Sequence, residues 1–359
     1  MTQPAGKGWN QFLMASVFEK EATFAAGKTH TNSTSCSFKG FEFDPGYADT
    51  VTSDKDEITG KEHGYDQEIT AYGNNPTLKF ARVRPNDLAA FASLVLGSTT
   101  PDQDAALTAY GHRIIPVTDG TALPSISLVH KIGGIQTEYK GVKGSTLKLS
   151  GEAGGFLNME VGMIASGQRA TNAAAIAAAI TESWLKISQM KVWLESGANI
   201  TIAAAATQGT EDISSATPDN LSVRFKSFEF GWDNKAEGQP GAGGAGYLQD
   251  VIYGRRGATC KTTIQFADAT EIAYFTGQEV CALEFDITAA GLIAVGGAMY
   301  YGAHIVIPRC KMKAYPQPKG GVNDPLTQDF DFEVFENGTN PAAILDVYTA
   351  QAAYLVAPA

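Results

Sequence analysis

The sequence predicts a mainly β protein, built as two tandem copies of one antiparallel β-sandwich or barrel domain. Each copy carries one flanking α-helix and a long hairpin arm. Three observations predict this. The heptapeptide S-F-K-G-F-E-F at 37–43 returns as R-F-K-S-F-E-F at 224–230. A period near half the chain is far longer than the roughly 20–50 residues of solenoid repeats, so it marks a duplicated domain. The 359 residues include 38 glycines and only 18% charged side chains, a balance that suits turn-rich β structure. The order of elements around the two heptapeptides is also the same. The length suffices for two cores, with domains at 1–166 and 184–338, a linker at 167–183 and an apolar tail at 339–359.

The first copy opens with a strand over Phe12–Phe18, followed by the strand around Phe41. A polar excursion from Asp44 to about Asn75 holds eight acids: Asp44, Asp49, Asp54, Asp56, Glu57, Glu62, Asp66 and Glu68. Thr77–Val83 alternates as a strand does. Pro85–Gly97 is the clearest helix, with Leu88, Phe91, Ala92 and Val95 in one apolar stripe. Asn86 or Asp87 can cap its start, and Gly97 can end it. Pro124–Val129 begins the closing strands, and Thr146–Ser150 with Leu157–Val161 reads as a hairpin turning at Gly151–Gly155.

The alanine-rich stretch Asn172–Glu182 reads as a short helix or an ordered linker. Trp184–Ile187, Val192–Leu194 and Asn199–Ile202 open the second copy as strands. The excursion after Phe228 is glycine-rich from Gly238 to Gly246, and Thr259–Lys261 answers Thr77–Lys79. Asp268 and Glu271 form a capping-box pattern before Ile272–Phe275, the counterpart of the first helix. Phe330–Phe335 answers Leu157–Val161. The tail from Asn340 is too apolar to stand in water, so it packs on its own domain or on a neighbour.

The net charge of −11 argues against a protein that grips nucleic acid, since phosphate affinity comes from clustered Lys and Arg. No apolar run approaches the roughly 20 residues needed to cross a bilayer, and the first eight residues lack the apolar centre of a secretion signal. A soluble protein kept in a cytoplasm is the expectation. Cys36, Cys260, Cys281 and Cys310 have no C-x-x-C spacing, so they read as buried thiols.

Catalytic and cofactor motifs fail on their spacing. Gly27-Lys28-Thr29 ends like a phosphate loop, but the first glycine of that motif falls on Ala22. Gly241 to Gly246 fits G-x-G-x-x-G, yet it follows polar residues rather than a buried strand, so it reads as a hairpin arm. Asp54, Asp56 and Glu57 hint at calcium, but Thr59 stands where an EF-hand loop needs glycine. His30, His63, His112, His130 and His304 are scattered. No catalytic residue, metal or cofactor is expected.

The strand pair, the polar arm after the F-K-G-F-E-F strand, the single helix and the Gly154-Gly155-Phe156 hairpin resemble the tail tube proteins of tailed bacteriophages. The likeness is to long, non-contractile tails whose tube protein has two tandem tube domains, and it spans about residues 10–335. It implies a virion protein assembled in the host cytoplasm. Three chains would form a pseudo-sixfold ring, and stacked rings a hollow tube. It further implies tape-measure, tail-tip and tail-terminator partners, and DNA passing without specific binding. On that pattern Asp54, Asp56, Glu57 and Glu62, with Gly241, Gly243, Gly244 and Tyr247, are candidates for contacts between rings or subunits. Lys148, Asn158, Glu160, Asp331 and Glu333 are candidates for the lumen, or else simply face solvent. The competing reading is a carbohydrate- or host-surface-binding β-sandwich using Trp184, Trp193 and Trp232.

Overall fold

The structure, a computed structural model, describes residues 11–53, 67–97, 99–104, 107–118, 121–196, 201–202, 208, 213–214, 219–241, 245–322, 324–336, 338 and 340–358. These residues are mainly β, in antiparallel ladders, with two α-helices, α1 (Pro85–Leu96) and α2 (Thr270–Thr276).

One long sheet organises the molecule. Its strands pair in the order Phe41–Asp44, Thr77–Phe80, Asn158–Ile164, the later part of Ile135–Glu152, Phe225–Asp233, Gly257–Gln265, Thr327–Val334 and the end of Tyr300–Met312. Strict alternation gives each strand an inner and an outer side. Met159, Val161 and Met163 point into the core, while Asn158 and Glu160 point out.

Behind this sheet lie two further sets of strands. Cys36–Phe38, Gln11–Ala15, Ile126–Ile132, the early part of Ile135–Glu152 and Arg169–Thr171 pair in series. Asp219–Asn220, Met190–Ser196, Cys281–Leu292, the early part of Tyr300–Met312 and Ile344–Thr349 pair in the same order. These pairings of 11–171 recur in the same order in 190–349, whereas the Thr99–Gln103/Tyr110–Ile114 and Thr201–Ile202/Ile213–Ser214 ladders have no twin among the described residues. The hairpin of Thr99–Gln103 with Tyr110–Ile114 belongs to the first half, yet it joins the second through the Ile344–Thr349 strand. The apolar tail therefore packs within its own chain, with every residue of that strand buried.

Between the layers runs α1, with all twelve of its residues buried. Its apolar stripe is only part of what it hides, because strands enclose it on every side. The cap also differs from expectation. The residue before the helix is Arg84, whose N–H donates to Asp87 Oδ2 at 3.2 Å, so Asp87 caps from inside the first turn. The N–H of Asn86 donates to Glu182 Oε2 at 2.7 Å, and Tyr354 Oη donates to Asn86 Oδ1 at 2.9 Å. At the other end Asn234 Nδ2 donates to the Val95 carbonyl at 2.7 Å. Residues far along the chain thus satisfy orphan backbone groups at both ends of one helix.

The counterpart α2 is shorter and mostly unburied, with only Glu271 fully enclosed. Its N-cap is Ala269, and Asp268 accepts the N–H of Thr270 at 2.8 Å instead of closing a capping box. The alanine-rich stretch is extended rather than helical: Ser37 Oγ donates to the Ala177 carbonyl at 2.6 Å and the Ala178 N–H to Asn32 Oδ1 at 2.8 Å. So short a helix gains little in water, and pairing beside Ser37 offers the backbone more. Trp184–Ile187 is not a strand; one 3₁₀ turn at Ile187–Gln189 leads into Met190–Ser196.

Gly144 shows how closely α1 lies on the long sheet. A Cβ there would stand 2.7 Å from the Leu94 carbonyl oxygen and from Val95 Cα. Gly144→Ala is expected to destabilise by about 1–3 kcal/mol, because helix backbone must move to admit it. Urea unfolding of the two proteins checks this.

Candidate assembly surface

The outer side of the long sheet is a polar face that runs across strands of both halves of the chain. It carries Glu42 and Asp44, Lys79, Asn158 and Glu160, Lys148 and Glu152, Glu229 and Asp233, Lys261, and then Asp329, Asp331 and Glu333. All five residues expected at a lumen, Lys148, Asn158, Glu160, Asp331 and Glu333, stand on this one side.

The charges are in register. Glu42 lies opposite Lys79, Lys79 opposite Glu160, and Glu160 opposite Lys148. The second half writes the row again, with Glu229 opposite Lys261 and Lys261 opposite Asp331. Lys313 completes it, its N–H donating to the Asp331 carbonyl at 2.8 Å. Where the two rows meet, Lys148 Nζ reaches Glu229 Oε2 at 2.8 Å, diagonally across the ladder. Lys79 Nζ and Glu160 Oε2 are 3.5 Å apart. These side chains are close to half exposed, so each pair contributes at most about 1 kcal/mol. Their importance is positional, since alternating signs fix which strands can lie side by side.

Glu42, Lys79, Glu229, Lys261 and Lys313 were not singled out from sequence. The signal was present: Glu42 and Glu229 hold the same place in the repeated heptapeptide, and Lys79 and Lys261 the same place in T-L-K and T-C-K.

Of the arm candidates, Asp54, Asp56, Glu57, Glu62, Gly243 and Gly244 lie outside the described residues. The base of the acidic arm is a hairpin of Thr50–Ser53 with Gln67–Ala71. The glycine arm, Ala236–Pro240 with Leu248–Tyr253, holds Gly241 and Tyr247 near its turn. Its end lies on the first half of the same chain. The Tyr72 N–H donates to the Gly246 carbonyl at 2.8 Å, and the Leu248 N–H to the Ser166 carbonyl at 2.9 Å. Tyr247 stacks on Tyr72 with centroids 4.8 Å apart, and Lys143 Nζ meets Asp250 at 2.6 Å.

All four cysteines are buried. Burial pushes the Cys260 and Cys281 thiols up to about 12, which suppresses the reactive thiolate. Among the described residues no three His, Cys, Asp or Glu side chains gather as a metal site. Trp193 and Trp232 are core residues, and the Arg84 guanidinium covers the Trp184 ring at 3.9 Å. Those tryptophans therefore do not form an open aromatic platform for sugar.

Residues 18–334 match the family model described as phage tail tube protein. The chain belongs to that family. No curated protein matches it. As a tail tube protein it is a structural, mainly β component of the bacteriophage tail, with antiparallel sheets of the β-sandwich kind. No helix among the described residues is long and apolar enough to cross a membrane.

Proposed function

We propose that three copies of this tail tube protein close into a ring of pseudo-sixfold symmetry. Rings then stack into the hollow tube of a long non-contractile tail, through which DNA reaches the host. The chain is read as two tandem tube domains, 1–166 and 184–338, joined by a linker at 167–183 and stitched by the tail from 339. The observation that carries this is the repeated ladder order, with two four-strand sets joined edge to edge through Thr146–Glu152 and Ser227–Asp233.

The outer side of the long sheet is the proposed lumen wall. Acids outnumber lysines on it, so a passing phosphate chain meets mild repulsion and no adhesive patch. Each lysine is already neighboured by a carboxylate, which lowers its hold on phosphate. The two arms are proposed to contact neighbouring subunits and rings, with tape-measure, tail-tip and tail-terminator proteins as the other partners. Assembly is placed in the host cytoplasm, and the role is not enzymatic.

Negative-stain microscopy of the full chain over a concentration series tests the proposal. Hollow tubes of constant diameter, built from three chains per ring, are expected. Compact monomers at every concentration, even with a tail-tip nucleus added, would overturn it.

A further inference from the structure

Two of the four cysteines stand face to face. Cys281 opens the strand Cys281–Leu292, Cys310 lies near the end of Tyr300–Met312, and the two are direct partners in the ladder between these strands. Residues directly opposite in an antiparallel ladder have Cα atoms about 4.5–5.5 Å apart and side chains on one side of the sheet. A disulfide needs Cα atoms about 4.4–6.8 Å apart, so this register already places the two thiols for bonding. Both side chains belong to the same core, and the Cys310 thiol donates to the Cys281 carbonyl at 3.3 Å. Among the described residues the other two cysteines have no thiol opposite them. Cys260 faces Phe230 and Phe332, and Cys36 faces Ala15.

Burial keeps both thiols protonated in the closed structure, so reaction needs a local opening. The surroundings of Cys281 supply one. It follows the exposed turn 276–279, and its Sγ lies 3.9 Å from the Glu279 carbonyl in that turn. Gln278 holds φ 52° there, a left-handed conformation that strains a residue with a side chain. The helix before the turn, α2, is short and mostly unburied. On the other side the ladder is irregular directly after the pair, between Cys281 and Leu283. Weakly held segments of this kind open far more often than a core strand does. Once opened, Cys281 loses the burial that suppresses its thiolate.

We propose that Cys281 and Cys310 form a modification site, at which a low-mass oxidised disulfide of the glutathione class installs an intrachain disulfide. The step is two thiol–disulfide exchanges. The Cys281 thiolate attacks one sulfur of the reagent, which forms a mixed disulfide and expels one small thiolate. The Cys310 thiolate then attacks the Cys281 sulfur, which closes the protein bond and expels the second small thiolate. The protein gives up two electrons to the reagent, and the two protons of its thiols end on the two small thiols released. The new bond spans 29 residues and pins the long hairpin of the second half at its base, beside α2. Assembly in a host cytoplasm keeps the pair reduced, and release into an oxidising medium closes it. That timing rests on the proposed function, whereas the bond itself does not.

The test incubates the full chain with oxidised glutathione, in buffer and in urea just below the unfolding transition. The chain is then alkylated while denatured, weighed and digested for peptide mass spectrometry. The expected product is about 2 Da lighter than the reduced chain, has two alkylated cysteines in place of four, and yields one linked peptide pair joining Cys281 to Cys310. Its thermal midpoint should rise by about 5 °C, and dithiothreitol should reverse the gain. Cys281→Ser and Cys310→Ser should each abolish the linked pair, whereas Cys36→Ser should leave it intact. Four alkylated cysteines under both conditions overturn the site. A glutathione adduct that stays on Cys281, or a bond from either residue to Cys36 or Cys260, overturns the pairing. Whether the same chain forms tubes bears on the proposed function alone.

Discussion

Phe91→Ala is expected to lower the unfolding free energy by about 3–5 kcal/mol, among the largest single-residue effects in this chain. Phe91 is fully buried in α1 and contacts both layers: its ring lies 5.0 Å from Phe38 behind the long sheet and 5.9 Å from Phe80 within it. Phe38 and Phe80 also meet each other at 6.1 Å, so one truncation opens a three-ring cluster. Neighbours cannot collapse into the space without moving a helix that strands hold on all sides, so the cavity cost adds to the lost transfer energy. Phe275→Ala in the partly exposed α2 serves as the control and should cost less than half as much. Urea midpoints at constant slope give both numbers. A Phe91→Ala cost below about 1.5 kcal/mol would contradict the enclosed position of α1.

The second large effect is a dependence on pH that Asp87→Asn should remove. Burial pushes the Asp87 carboxyl from 3.8 up to about 7, against the nearby Arg84 charge and the Arg84 N–H that it accepts. Glu182 is pushed from 4.5 up to about 7, again chiefly by burial, with the charge of Asp87 adding to it. In both cases the folded value lies above the unfolded one, so the folded state binds the extra proton. The stabilisation is complete below about pH 4 and is lost as pH rises through about 7. Asp87→Asn keeps an acceptor for the Arg84 N–H and cannot ionise. It should therefore change little at pH 3.5 and stabilise by about 2–4 kcal/mol at pH 8. Glu138 titrates in a separate window. Burial raises its pKa, but the nearby His30 imidazole and hydrogen bonds from Ser127 and Asn172 prevail and hold it at about 2. Its contribution is lost only as pH falls from 4.5 towards 2. Equal urea midpoints for wild type and Asp87→Asn at pH 8 would refute the assignment.

The heptapeptides made the outline of the fold legible before any coordinate. Phe41–Asp44 and Phe225–Asp233 take equivalent places, as do Thr77–Phe80 and Gly257–Gln265, and Asn158–Ile164 and Thr327–Val334. Alternation along a strand says which side chains share a face, so the polar side of Asn158 and Glu160 was readable. It does not say which strand lies adjacent, so the charge row stayed hidden until registers were fixed. The setting of α1 was hidden for a related reason. Leu88, Phe91 and Val95 announce one apolar stripe, but Glu182, Asn234 and Tyr354, which hold its ends, are distant in sequence. Trp184–Ile187 misled because a short apolar run alternates whether or not a neighbouring backbone is present to pair with it.

The strand Ile344–Thr349 also sets a timetable for the newborn chain. Its Asp346 grips Arg113 through two hydrogen bonds, 2.8 Å to Nε and 2.7 Å to Nη2, across 233 residues of sequence. The ribosome therefore delivers the hairpin at 99–114 long before the strand that shelters it. Until that strand arrives, Tyr110–Ile114 has one flank unpaired. Contacts of so long a sequence separation carry a large loop-closure cost, which is the kind that slows folding.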